Sequence, residues 1–278
     1  MRVSAFGGAV VLTVVALGAS AAEPQEESLW EKYLKASAEV SVYSAYVWRG
    51  QVLVPNPVWQ PAANLFLNVG EHAEYGYFKL RAWANFMIER NRAPREFAAM
   101  SIVDETVSYN VTFFDCLDFE AGGIFYQFPT RHDDGLRDTD EFLVGCRYRN
   151  PILTPSFYIW WDYGQNGHND TDSLYFDFNF THAFRPFDRL TVTPGTGFGL
   201  GNDSCLDHYS RGDVRHAAFT NVHLDLVADY ALTDWLHLGA SISYFFYPSS
   251  HVRESSYIKF DRYEDGILRG GAHLKIVF

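Results

Sequence analysis

The residue types that could carry nucleophilic chemistry meet in one stretch, Asp207-His208-Tyr209-Ser210, where an imidazole stands two residues from a hydroxyl with a carboxylate close by. In such a set the imidazole takes the hydroxyl proton and a third group orients the ring. His208 and Ser210 would then form a hydrolase pair. The spacing is loose, and the stretch falls in a long polar connection, Gly201–Arg215. Carboxylates gather in similar connections, at Asp133-Asp134, Asp170 and Asp172, Asp203 and Asp207, and again at Asp261, Glu264 and Asp265. Hard divalent cations prefer such oxygens, yet no EF-hand spacing is present. These acids read as solvated loops, and neither a metal nor another cofactor is expected. Cys116, Cys146 and Cys205 are odd in number and lack a Cys-x-x-Cys pair, which argues against a disulfide scaffold and a zinc ribbon. A bridge between Cys116 and Cys146 stays open in an oxidising compartment.

The rest of the chain decides what could position these groups. Its 278 residues carry 34 acidic and 22 basic side chains, a formal charge of −12, so a nucleic-acid partner is not expected. Apolar residues make up 47%, ample for a core, which excludes intrinsic disorder. Arg2, the apolar run Val10–Leu17 and Ala19-Ser20-Ala21-Ala22 read as a secretory signal peptide over residues 1–22. Residues 23–36 form a charged lead-in, and the main domain spans 37–278. Beyond the signal no apolar stretch of about 20 residues remains for a spanning helix.

From Ser37 onward the hydrophobic period is two. Leu236, Leu238, Ala240, Ile242, Tyr244 and Phe246 alternate with His237, Gly239, Ser241 and Ser243, and Phe78, Leu80, Ala82, Ala84 and Phe86 alternate with Lys79, Arg81 and Asn85. Twelve such runs are predicted, near residues 37–49, 59–68, 75–89, 101–113, 117–128, 139–149, 154–164, 173–184, 189–200, 216–230, 235–247 and 266–278. They match the roughly 9–11 residues that a tilted strand needs to cross a bilayer rather than the 5 or 6 of a globular strand. Connections alternate short and long, as periplasmic turns and external loops do in outer-membrane barrels. The fold class is therefore all-β: a transmembrane antiparallel up-and-down barrel of twelve strands. Aromatic pairs at strand ends, Tyr46 and Trp48, Trp161 and Tyr163, Tyr244 and Phe246, read as a membrane girdle.

Tyr46-Val47-Trp48-Arg49-Gly50, following Ser41-Val42-Tyr43, resembles the Tyr-x-x-Arg-Gly signature of the TorF-like putative porins, a bacterial outer-membrane family. Asp104-Glu105 before Tyr109, Ala121-Gly122-Gly123 with Tyr126 and Pro129, and Asp138-Thr139-Asp140-Glu141 fit more loosely. The resemblance implies a porin-like role in a Gram-negative outer membrane and supplies no catalytic residues. The last strand, ending on Phe278, resembles the signal read by the barrel assembly machinery. His208-Tyr209-Ser210 likewise resembles the His-x-Ser element of lipid A deacylases, away from the lipid-facing strand where that element would sit.

Taking the apolar face as lipid-facing turns the other face inward. The pore-lining candidates are Arg49, Lys79, Arg81, Asp104, Glu141, Arg147, Asp162, Asp177, Asp225 and Lys275, with Glu39, Glu89, Arg149 and Asp229 also on that face. Bases gather on the first, third, sixth and last strands, and acids on the fourth, seventh, eighth and tenth, a transverse field that would orient a solute. The expected function is a narrow porin-like diffusion channel for small polar or anionic solutes, integral to the outer membrane. Its partners would be outer-membrane lipid and lipopolysaccharide. The alternatives are a lipid hydrolase and a plugged structural barrel.

Overall fold

A computed structural model describes residues 29–88, 100–129, 138–163, 172–210, 218–250, 252–253 and 265–278. The stretch read as a signal peptide, Glu89, the acidic Asp133-Asp134, Asp170, Asp261 and Glu264 lie outside the described residues. A one-turn helix α1 (Leu29–Tyr33) leads into β1 (Leu34–Tyr43). The remaining wall strands are β4 (Val58–Asn68), β5 (Tyr77–Met87), β6 (Met100–Phe113), β7 (Leu117–Gln127), β8 (Thr139–Tyr148), β9 (Thr154–Asp162), β10 (Ser173–Thr181), β12 (Leu190–Gly201), β13 (Ala218–Ala231), β14 (Leu236–Phe246) and β15 (Gly266–Val277). Three short strands stand apart: β2 (Tyr46–Trp48), β3 (Gln51–Val54), and β11 (Phe184–Phe187), which pairs with β12.

Each long strand pairs antiparallel with its neighbour, β1 pairs β15 from Ser37↔Val277 to Tyr43↔Gly271, and β10 pairs β12, so the sheet closes on itself. Closure matters physically. No water is available in lipid to satisfy backbone N–H and C=O groups, so a spanning sheet must leave no edge. The seam is sealed at the inner rim, where Phe278 N–H donates to the Ala36 carbonyl at 2.8 Å.

The alternation read from sequence is the alternation of the wall. Leu238, Ile242, Leu268 and Leu274 point outward and are exposed although apolar, while the polar Ser243, Asn221 and Asp162 turn inward and are buried. An inside-out distribution of this kind suits a solvent of lipid tails. Outward rings ladder across strands: Phe157 on Phe178 at 4.5 Å, then Phe178 on Phe198 at 4.8 Å. Such cross-strand pairs are the unit of sheet stabilisation. At the inner rim the three residues Phe114–Cys116 turn β6 into β7, with Phe114 and Asp115 both at positive φ and Cys116 N–H donating back to the Phe113 carbonyl. That is the I′ geometry whose twist matches paired strands.

One predicted strand is corrected. The run over 37–49 does not continue as wall, because β1 ends at Tyr43 and the chain leaves the sheet at Ala45. It returns as β4 only at Val58, and the segment between forms a separate two-stranded sheet, β2 with β3. This hairpin folds into the lumen. Tyr46 and Trp48 are therefore not girdle residues, whereas Trp161, Tyr163, Tyr244 and Phe246 do face outward. The three cysteines are free, so Cys116 and Cys146 are not bridged.

Candidate functional site in the lumen

The hairpin sits inside the barrel because both of its faces are apolar. Ala45, Val47 and Val52 pack with Phe245, Tyr247 and Leu206, the last on helix α2 (Asp203–Ser210), and with Val252. Tyr46 and Val54 pack on the other side with Val58 and Ile102. A strand buried on two faces has no polar side to show to water, and only an enclosed space accepts it. At the tip, Arg49 (φ 50°) and Gly50 (φ 78°) make the two-residue turn. Gly50 is required twice over. Positive φ favours it, and a Cβ there would overlap Asn221 on β13, so the tip rests against the far wall.

Arg49 locks the tip. Its guanidinium donates two hydrogen bonds to the carboxylate of Glu141 on β8, Nη1 to Oε1 at 2.7 Å and Nη2 to Oε2 at 2.5 Å. The Tyr126 hydroxyl donates to the same Oε2 at 2.8 Å. Rings of Trp48, Tyr175 and Trp160 surround the cation at 4.1, 4.9 and 5.4 Å. The side chains are 8% and 1% exposed, so this is a buried, bidentate pair rather than a surface one.

Between hairpin and wall remains a cavity of about 440 Å³. Of the sequence-based candidates, Arg49, Arg81, Asp104, Asp177 and Asp225 line it. Asp177 accepts from Asn179 at 2.7 Å, and His223 bridges Asn221 and Asn179 with its two ring nitrogens, each at 3.0 Å. Inward glycines of β12 make room for this polar wall, since a Cβ at Gly197 would stand 2.7 Å from the His223 ring. Asp104 Oδ1 is buried and has no hydrogen-bond partner among the described residues. Asp162 is bonded to Thr139 at 2.6 Å and stands opposite Glu141 in register.

The other candidates lie away from the cavity. Lys79 pairs with Glu120 at 2.7 Å nearer the inner rim, and Arg147 and Lys275 stand opposite Asp118 and Glu39 in register. Sequence reasoning missed Glu120, Arg269 and the histidine pair on Asp229, where His237 and His273 contact one carboxylate at 2.7 and 3.1 Å. Parity could have found Glu120, because Phe119 and Ala121 beside it are outward. His208 and Ser210 sit at the end of α2, and their side chains lie outside the described residues. Cys205, on the same helix, is buried, and that burial pushes its thiol up to about 11.

No protein-family model matches the chain. No curated protein matches it either. Among solved structures it is similar to the COG4313 outer membrane channel from Pseudomonas putida F1, at 9% identity and a TM-score of 0.50 over 93% of this chain and 100% of that one. The KdgM porin aligns at 8% identity and 0.49 over 88% and 99%, and the NanC porin at 10% and 0.47 over 88% and 98%. The likeness is one of fold. The architecture is that of an integral outer-membrane barrel.

Proposed function

We propose that this protein is a narrow porin-like channel whose aperture is set by the β2–β3 hairpin docked across its lumen. The observation that carries the reading is the clasp: Arg49 on Glu141 holds the hairpin against the far wall and leaves a polar cavity of about 440 Å³ beside it. A barrel of 8 strands leaves no channel and one of 16–18 leaves a wide one. In a twelve-stranded barrel an inserted hairpin makes the remaining space selective for small polar solutes. With Arg49 matched to Glu141, Arg81 faces Asp104, Asp177 and Asp225 in the cavity lining. That balance favours cationic and zwitterionic permeants over anionic ones. The Tyr-x-x-Arg-Gly segment that resembles TorF-like porins is the hairpin tip itself, which fits a role in permeation.

Single-channel recording of the refolded barrel in a planar bilayer, with a salt gradient, tests the proposal. Discrete small steps with a reversal potential of cation-selective sign are expected. A silent bilayer from protein shown to be folded would overturn it.

A further inference from the structure

Resting on the channel reading, and naming its solute class, we infer that Asp104 and Arg81 form a subsite for small zwitterions that carry an ammonium and a carboxylate. Asp104 is the member that lacks something. It stands on the inner face of β6 with Oδ1 buried and without a hydrogen-bond partner among the described residues. A buried acceptor left unmade is unfavourable unless something that comes and goes supplies the donor.

The surroundings select that donor. In register, Asp104 lies between Trp83 on β5 and Tyr126 on β7. The hairpin brings two more rings from above, with Tyr46 at 5.6 Å from Trp83 and Trp48 at 6.2 Å from Tyr126. Tyr126 has its hydroxyl committed to Glu141, so it offers Asp104 its ring rather than a hydrogen bond. A carboxylate boxed by aromatic faces is the chemistry of ammonium recognition, where the rings attract the cation by their quadrupoles and the carboxylate meets its charge.

Arg81 supplies the second pole. It pairs in register with Thr106, one inward rung from the Trp83–Asp104 pair, and it lines the same cavity. Among the described residues it forms no ion pair, with Asp104 or any other carboxylate. Diagonal neighbours on one face stand roughly 7–8 Å apart. A solute with charges a few bonds apart spans such a gap, its ammonium in the aromatic box and its carboxylate on the guanidinium fork. A lone anion meets the acids of the opposite wall, Asp177 and Asp225, and a lone cation leaves Arg81 unmatched.

The test uses the full mature barrel with three probes: free glycine, methylammonium and acetate, the first two carrying N–H donors. Each is titrated against single-channel current and, independently of conduction, against tryptophan emission of the detergent-folded protein. Free glycine is expected to act at the lowest concentration. Asp104→Asn should raise the half-effect concentration of free glycine and methylammonium about tenfold and leave acetate unchanged, as loss of one charge-assisted contact implies. Arg81→Gln should weaken free glycine and leave methylammonium unchanged. It carries the test alone if Asp104→Asn does not fold. Free glycine acting no better than acetate, or both variants binding it like the parent, would overturn the subsite while a conducting barrel keeps the channel reading. A silent bilayer with free-glycine binding that depends on Asp104 would do the reverse.

Discussion

Replacing Arg49 by Ala should loosen the hairpin without unfolding the wall. Two hydrogen bonds of 2.7 and 2.5 Å vanish, and Glu141, 1% exposed, keeps only Tyr126 among the described residues. Breaking a buried pair from one side typically costs about 3–5 kcal/mol, because a desolvated charge is stranded. That corresponds to a shift of roughly 10²–10⁴-fold in the ratio of docked to undocked hairpin. Opposing release are Tyr46, Val47, Val52 and Val54, all buried, each contributing about 1.5–3 kcal/mol of apolar burial before the cost of ordering the loop. The hairpin should therefore stay mostly docked but leave its seat far more often. In single-channel records the parent level should persist with frequent excursions to a larger one, and thermal unfolding should fall. Adding Glu141→Gln removes the stranded charge, so the double variant should recover part of the lost stability and keep the noisy current. An Arg49→Ala barrel that melts and conducts like the parent would refute this reasoning.

Gly50→Val adds a β-branched side chain at φ 78° against Asn221, a strain of about 1–2 kcal/mol from the backbone alone. The hairpin should fail to seat, and larger polyethylene glycols should then enter the pore. On β14, Ile242→Arg on the lipid face should destabilise by about 2–4 kcal/mol, whereas Ser241→Arg on the lumen face should alter conductance and leave denaturant unfolding nearly unchanged. Parity on this strand is wrong if the two behave alike. Cys205 should resist iodoacetamide at pH 8 in the folded barrel, since burial raises its thiol from 9.0 to about 11. The alkylation rate should fall about a hundredfold relative to the unfolded chain. By the same linkage, this neutral thiol stabilises the fold fully below about pH 9, and the contribution is lost as pH rises toward 11.

The wall was legible because lipid on one side and water on the other impose a period of two on every strand. β14 alternates over its full length and β13 does so from Asn221 to Tyr230, past a bulge at Thr220, and the bounds of both fall within two residues of the sequence reading. The hairpin obeys a different rule. Tyr46-Val47-Trp48 and Val52-Leu53-Val54 are consecutive apolar residues, the pattern of strands buried on both faces. Read as a continuation of β1, the first of these triplets passes for wall. The second triplet and the Arg49-Gly50 turn between them are the signal that separates the two readings. Arg49 was found as a lumen residue on the wrong element, since its inward parity was inferred for a strand it does not occupy. Its partner Glu141 reads as inward from the same alternation, but no sequence spacing joins a hairpin tip to a wall strand. Asp104 was likewise readable as inward, whereas its missing hydrogen bond is visible only once the rings around it are in place.

The seat of the hairpin also dictates when it can form. Gly50 rests on Asn221 and Arg49 grips Glu141, so the tip contacts β13 and β8, both made long after it in the chain. Contacts this distant along the sequence form late, because a long loop must close before they are rewarded. During strand-by-strand assembly the hairpin has no place to rest, and Val47, Val52 and Val54 stay wet until the ring is shut. Barrel closure and drying of the interior are then separate steps, in that order. Pulsed proteolysis during refolding should cut the chain near residue 50 after the wall strands have become protected.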